Sequence, residues 1–280
     1  MLRIKLGMAT DDKFAFPTAV TISSLMANLG PDAAVDAFVI GYGLGVANRR
    51  LLEGLGDGGL RLSVSLFDRD QSEFADYPAS SPGHNRITKA AYGRLILPDI
   101  VPADVDRLLY LDADTLVRHD VSPLYRVDLA GHAIAARHDP VVPTFDHPGG
   151  VQAWRTLGVS GKTDYFNSGV MVLDIERWHA EDWGPRVKGY LVDHRDNVML
   201  YDQEGLNAIA RGSFARLDWR WNAIEYRRKG DITTPPDAML DSFIVHFLGD
   251  VKPWDLPTGS DDGACHSEYW QYAEKLAHAE

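Results

Sequence analysis

The sequence has a single cysteine, Cys265, in 280 residues. An internal disulfide and a Cys-rich zinc site are therefore excluded, and one thiol fits a reducing compartment, so a cytoplasmic location is expected. No apolar run approaches the roughly 18–20 residues of a membrane-spanning helix. The opening Met1–Ala9 meets Asp11, Asp12 and Lys13 too early for a signal peptide. The C-terminal Tyr269–Glu280 is amphipathic but lacks the basic cluster of an electrostatic membrane anchor. Basic residues are scarce: 28 Lys and Arg stand against 40 Asp and Glu, a formal charge of −12. That balance counts against nucleic acid, whose phosphates need a broad Lys/Arg face. The dinucleotide-loop and P-loop modes of phosphate binding are not expected, and a G-x-S-x-G nucleophile elbow is missing.

What is present is ordinary globular composition, 45% apolar and 24% charged. A chain this long buries enough surface to fold without a structural metal. Short β-rich runs alternate with helical ones through the first third. Strands are expected at Leu2–Met8, Val35–Ile40, Leu60–Phe67 and Arg107–Leu111, and helices at Pro17–Leu29, Val46–Leu55 and Arg86–Leu97. Thr10–Phe16 reads as a polar turn and Asp68–Gly83 as irregular. This alternation argues for an α/β fold with a largely parallel sheet, whose ligands lie beyond the carboxyl ends of its strands. Further on, strands are expected at His132–Ala136, Ser168–Leu173 and Phe243–Phe247. Glu176–His194 reads as mostly helical, and Gln203–Ala210 as a helix capped by Asp202. Arg137–Gly161 reads as a long loop. No repeat or linker interrupts the chain, which is read as one domain.

Three segments carry chemistry. In Leu108–Thr115 an apolar strand runs into Asp112 and Asp114, and alternate residues of an extended chain can converge on one cation. Oxygen ligands suit Mg²⁺ or Mn²⁺, either of which bridges to diphosphate oxygens. The plainer alternative is a solvated Asp-X-Asp turn. In Asp164–Asp174, Asn167 and Ser168 precede a buried run and can hydrogen-bond sugar hydroxyls, with a plain turn as the alternative. In His246–Trp254, Lys252 can answer a phosphate as a point charge. His246 taken alone reads as a core histidine, and His132, His138 and His147 as surface ones.

Taken in order, these segments resemble glycosyltransferase family 8, which includes bacterial lipooligosaccharide galactosyl- and glucosyltransferases and the glycogenins. The resemblance runs through Ala9-Thr10-Asp11-Asp12, Tyr92–Leu95, Leu111–Asp114, Phe166–Gly169, Tyr201–Asn207 and His246–Trp254. It implies a GT-A fold: a single Rossmann-like domain over 1–280 with a central mixed, mainly parallel sheet. Residues 1–118 would form the nucleotide-binding half and 119–280 the acceptor-side half that closes over metal and diphosphate. The implied activity is a retaining, Mn²⁺-dependent transfer of galactose or glucose from a UDP-sugar to a glycan, glycolipid or other hydroxyl acceptor, with Mg²⁺ as the other candidate ion. By the same resemblance Asp112, Asp114 and His246 are metal ligands, while Ala9, Thr10, Asp11 and Ala113 contact uridine and ribose. Gly249 and Lys252 contact the diphosphate. Arg94, Asn167, Asp202 and Gln203 line the donor sugar, with Ser168 beside them, and Asp139 is a looser match to an acceptor-side acid. Gln203 and Asp202 are the candidate catalytic residues, with Asp202 and Glu204 as alternatives for a covalent step. Lys13 and Phe14 stand where related bacterial enzymes often carry Asn and Tyr, which leaves Phe14 a stacking contact with uracil.

Two rival readings use the same residues. Leu111–Thr115 is similar to the opening motif of haloacid-dehalogenase-type phosphatases, with Asp112 as nucleophile and Asp114 as general acid. That motif normally opens its domain, whereas here 111 residues precede it, and Asn167–Asp174 and Asp202–Asn207 are left without a role. The other rival is a non-catalytic sugar-nucleotide or glycan-binding protein. Donor sugar, acceptor and oligomeric state are not legible.

Overall fold

A computed structural model describes residues 1–78, 88–228, 231–232, 239–256 and 264–278. The chain opens with β1 (Leu2–Asp11), α1 (Ala15–Asn28), β2 (Ala33–Tyr42), α2 (Val46–Gly54) and β3 (Leu62–Arg69). The pairing β3-β2-β1 is parallel throughout, with Leu6 opposite Ala37 and Ala37 opposite Val64. β1 and β2 are nearly continuous apolar runs because both of their faces are covered. Pro17 stands in the first turn of α1, where its missing N–H costs nothing. Asp11 Oδ1 accepts from the backbone N–H groups of Lys13 and Phe14 and fixes the turn into that helix.

β4 (Arg107–Leu111) joins β1 in parallel, and the sheet then changes character. Its neighbour β7 (Phe166–Asp174) is antiparallel to both β4 and β6 (Ile134–His138), and β8 (Ala215–Arg216) closes the far edge beside β6. The order is β3-β2-β1-β4-β7-β6-β8, seven strands in a mixed, mainly parallel sheet. One apolar cluster on its first face takes in α1, α2 and α4 (Ser122–Tyr125). The cluster on the other face takes in α3 (Leu97–Ile100), α5 (Ile175–Ala180), α6 (Trp183–Asp193) and α7 (Tyr201–Ala210).

A second sheet was not expected. It consists of β5 (Thr115–Val117), β9 (Ala223–Arg228), β10 (Asp231–Ile232) and β11 (Ile244–Gly249), ordered β10-β9-β11-β5. The last helix, α8 (Ala264–Ala277), covers it through Cys265, Tyr269 and Ala273 against Leu116, Val245 and Phe247.

Several expectations need correction. Thr10 and Asp11 belong to β1 rather than a turn. The expected helix Arg86–Leu97 is a 3-10 turn over Lys89–Leu95 followed by α3, and its first two residues lie outside the described residues. The segment is pressed onto β1 at Gly93, where a Cβ would lie 2.8 Å from Ala9 Cβ. The helical stretch Glu176–His194 breaks at Asp182, whose φ is +54°. Part of Arg137–Gly161 is strand, and Thr144 bridges to Asp164 beyond it. A G-x-G-x-x-G string at Gly54–Gly59 follows a helix and leads towards β3, the reverse of the strand-to-helix setting of a dinucleotide loop.

Leu109 is fully buried in β4, the strand from which the rest of the site is hung. Leu109→Ala is expected to cost about 2–5 kcal/mol of unfolding free energy, read as a lowered midpoint in urea denaturation.

Candidate active site

Between β4 and β5 the backbone leaves the large sheet and enters the small one, and Asp112-Ala113-Asp114 is the crossing. On one side Asp112 N–H donates to Gly169 O at 2.8 Å, which ties the crossing to β7. On the other, antiparallel pairing sets Thr115 opposite His246 and brings the imidazole beside the two carboxylates. Ligand atoms of Asp112, Asp114 and His246 all lie within 4.8 Å of one another.

The orientation of this cluster can be traced from a backbone amide that cannot flip. Gly169 N–H donates to Asn167 Oδ1 at 3.0 Å, so that atom is an acceptor. Asn222 therefore turns its Nδ2 to the same oxygen, at 2.9 Å, and its Oδ1 to His246 Nδ1, at 3.0 Å. Nδ1 thus carries a hydrogen, and in the neutral ring Nε2 offers a lone pair, 3.2 Å from Asp114 Oδ1 and 3.7 Å from Asp112 Oδ2. The other carboxylate oxygens are committed. Asp112 Oδ1 accepts from Arg94 at 2.6 Å and Tyr110 at 2.8 Å, and Asp114 Oδ2 accepts from Lys252 at 2.8 Å. With the ring neutral, two carboxylate oxygens and a ring nitrogen turn lone pairs to one point, a donor set that fits Mn²⁺ or Mg²⁺. Burial pushes the Asp114 carboxyl up, but Lys252 and His246 outweigh it and hold it well below the ordinary carboxylate range. Gly169 is required here, since a Cβ would overlap the His246 ring and lie 2.9 Å from Asp112 Oδ2.

Arg94 anchors the neighbouring residues. Its buried guanidinium donates to Asp112, to Ser168 O at 2.8 Å and to Ser168 Oγ at 2.7 Å. Its Nε lies 2.9 Å from Asp202 Oδ2, close enough for an ion pair although the hydrogen itself points to Ala91 O. Asp202 is consequently not a helix cap. It lies inside α7, whose N-cap is Leu200, and Tyr201 ahead of it has φ +50°, a costly conformation for a bulky residue. Burial raises the Asp202 carboxyl to about 6 against the pull of Arg94. Gln203 uses both ends of its amide, as Oε1 accepts from Ser168 N–H at 3.0 Å and Nε2 donates to Asp139 Oδ2 at 3.2 Å. Asp139 Oδ2 also accepts from Asn167 at 3.1 Å. Glu204 faces the other way: it is fully buried, and its carboxylate accepts from Tyr190, Met199 and Gln152, so no covalent step can use it.

One cleft of about 700 Å³ gathers these groups. Its lining includes Ala9, Thr10, Asp11 and Phe14 from the end of β1 and the turn after it, and Ala113 at the crossing. Gly249 and Lys252 come from the end of β11, while Asn167, Ser168, Asp202, Gln203 and Asp139 form the opposite part. Gly249 has φ +90°, and a Cβ there would overlap Arg227 O. Lys252 donates to Phe247 O as well as to Asp114. Phe14 packs edge-on against Trp254, with ring centroids 5.8 Å apart. The structure adds Tyr110 and Tyr226 to the lining, and His147, which had been read as a surface residue. Asn222, which orients His246, was missed entirely, because nothing in Trp219–Ala223 marks it as chemical.

Asn222→Ala is expected to lower divalent-cation affinity by about 10–100-fold, the usual cost of losing an outer partner of a ligating histidine, with calorimetric Mn²⁺ titration as the measurement. A pH effect follows from Asp202. Its folded carboxyl titrates above its unfolded value, so the folded state binds the extra proton and stability falls as pH rises from about 4 to about 6. Asp202→Asn is expected to flatten that part of the stability profile, as measured by urea titrations across the window.

The family model described as glycosyl transferase family 8 matches residues 5–256. General stress protein A of Bacillus subtilis is 30% identical over 264 residues, covering 89% of this chain and 86% of that protein. The lipopolysaccharide 1,3-galactosyltransferase of Salmonella typhimurium is 27% identical, covering 90% of this chain and 73% of that one. Among solved structures, a galactosyltransferase in complex with donor and acceptor sugar analogues superposes with a TM-score of 0.77 at 25% identity, over 98% of this chain and 96% of that one. The mixed seven-stranded sheet is that of the GT-A fold, and the phosphatase reading gives way, since Asp112 has one oxygen held by Arg94 and Tyr110 and the other turned to His246. The chain belongs to glycosyltransferase family 8 and is a glycosyltransferase.

Proposed function

We propose that this enzyme moves a hexose, galactose or glucose, from a UDP-sugar to a hydroxyl of a glycan, glycolipid or other acceptor, with retention of configuration and with Mn²⁺ as its ion. The observation that carries this reading is the convergence of Asp112 Oδ2, Asp114 Oδ1 and His246 Nε2 in the same cleft as the Arg94–Asp202–Gln203 group. A divalent cation held by those three ligands would supply Lewis-acid stabilisation of the diphosphate leaving group.

The chain's own residues divide the remaining work. The end of β1, with Ala9, Thr10 and Asp11, faces nucleoside and ribose, and Phe14 offers a ring for the base. Lys252 has three donor hydrogens, of which Asp114 and Phe247 O take two, leaving one for a phosphate oxygen. Gly249 lets backbone approach the diphosphate without a side chain. Arg94, Asn167 and Asp202 orient the hexose so that the bond breaks in one geometry. Gln203, locked between Ser168 N–H and Asp139, presents its amide to the sugar as a fixed dipole rather than as a nucleophile. The charge of Asp202 is answered by Arg94 and Glu204 is turned away, so neither stands as an uncompensated nucleophile. That arrangement favours direct attack by the acceptor hydroxyl on the face from which UDP departs, with a phosphate oxygen taking its proton.

UDP release is expected from UDP-galactose or UDP-glucose only when Mn²⁺ or Mg²⁺ is added. His246→Ala is expected to abolish the metal-dependent rate, and Lys252→Ala to lower kcat by roughly 10²–10³-fold, the usual scale for removing one preorganised charge donor. Failure to release UDP from any UDP-sugar with any divalent ion would overturn the reading.

A further inference from the structure

Glu204 is a fully buried carboxylate that the reaction above does not use. Its Oε1 accepts from the Tyr190 hydroxyl at 2.8 Å and from Gln152 N–H at 3.1 Å, and its Oε2 accepts from Met199 N–H at 2.7 Å. Three separate stretches of chain are thus pinned by one side chain. Two of them lead straight into the cleft: His147, Pro148 and Gly149 precede Gln152, and Met199 and Leu200 line the cleft themselves. A Cβ on Gly149 would lie 3.2 Å from Val142 and 3.7 Å from Leu200, and Val142 N–H donates to Asp139 Oδ1, so this wall stands beside Asp139.

We propose that Glu204 is a positioning residue for the acceptor, setting the wall made by His147–Gly149 and Met199–Leu200; this rests on the donor and acceptor assignment given under Proposed function. The donor side does not depend on Glu204, because α7 has its own anchors. Asn207 accepts from Phe166 N–H at 2.8 Å and donates to Phe166 O at 2.9 Å, which clamps the helix to β7. Gln203 is held by Ser168 N–H and Asp202 by Arg94. Loss of the Glu204 carboxylate therefore frees the wall while Asp202 and Gln203 stay in place.

Glu204→Gln keeps the volume but replaces one acceptor oxygen by an NH₂ group. The tyrosine hydroxyl can rotate to accept from it, whereas a backbone N–H cannot, so one of the two loop contacts is lost. Tyr190→Phe is the second variant and removes only the hydroxyl. The measurement is UDP release from UDP-galactose and UDP-glucose with Mn²⁺, first with water as the only acceptor and then with lactose, octyl galactoside and octyl glucoside. In Glu204→Gln, donor KM and the water-only rate are expected within twofold of wild type. KM for the acceptor that best stimulates wild type is expected to rise about tenfold, the equivalent of one lost hydrogen bond to a charged group. Tyr190→Phe should move the same way by less. Hydrogen exchange at the Gln152 or the Met199 amide, whichever faces the new NH₂ group, should quicken in Glu204→Gln while exchange in β1 and β4 does not. Equal losses with water and with sugar acceptors, an unchanged acceptor KM, or unchanged exchange at those two amides overturns the proposal. A wild-type enzyme that releases no UDP defeats the donor assignment instead, and the exchange measurement still shows whether Glu204 holds the two loops.

Discussion

A single buried guanidinium holds the site together. Arg94 reaches Asp112 at the end of β4, Ser168 in β7 and Asp202 in α7, and it starts from the 3-10 turn pressed against β1. Four stretches of chain distant in sequence are thereby fixed to one planar group, whose geometry suits two carboxylates at once. Its position over the Tyr110 ring, 4.6 Å from the centroid, adds a face contact in the same plane of constraint. Removing it from a buried setting would strand two acidic groups, one of which, Asp202, is already raised by burial to about 6. The guanidinium itself is held even more firmly protonated than usual by Asp112 and Asp202, despite its burial. The frame therefore keeps its positive charge at any pH the fold survives.

The second organising feature is the division of the sheet. Had β4 simply continued, Asp112 and Asp114 would have lain on one extended edge with no third ligand at hand. The turn into β5 hands the chain to a smaller sheet whose central strand, β11, carries His246 in register. The amide relay from Gly169 through Asn167 and Asn222 then sets which nitrogen of the ring faces the acids. The same Asn167 donates to Asp139, which in turn holds Gln203. The orientations of His246 and of Gln203 are thus parts of one hydrogen-bond network. Such networks are rigid only when every member is satisfied.

Much of this was legible beforehand, for identifiable reasons. Most of the first four strands and the first two helices announced themselves because covered strands such as β1 and β2 are apolar runs and α1 has a clear apolar face at Ile22, Leu25 and Met26. The candidate site residues other than Glu204 line one cleft, because most of them sit in short motifs at strand ends. The second sheet did not show, because β5 is three residues long, β10 is two, and strands that short carry no period. Asp202 was read as a cap because an acid before an apolar helical run is the usual sign of one. Its actual partner, Arg94, is 108 positions away and invisible to local pattern. Asn222 and Glu204 act through contacts with distant backbone, and no spacing rule encodes such contacts.

The acidic composition finally takes a local meaning. Around the metal position stand Asp112, Asp114 and Asp202 against Arg94 and Lys252, and both cations are already paired to those acids. Such a site on its own repels a diphosphate, since the fixed positive groups have their charge answered before any nucleotide arrives. A divalent cation held by Asp112, Asp114 and His246 would relieve that conflict, attracted by their lone pairs and attracting the phosphates in turn. The excess of acid over base, which argues against a polyanion spread over a broad surface, is therefore compatible with a small phosphate ester bound at one point. Because Asp112, Asp114 and His246 are each held by a second partner, little reorganisation is left when the charges of the reaction develop.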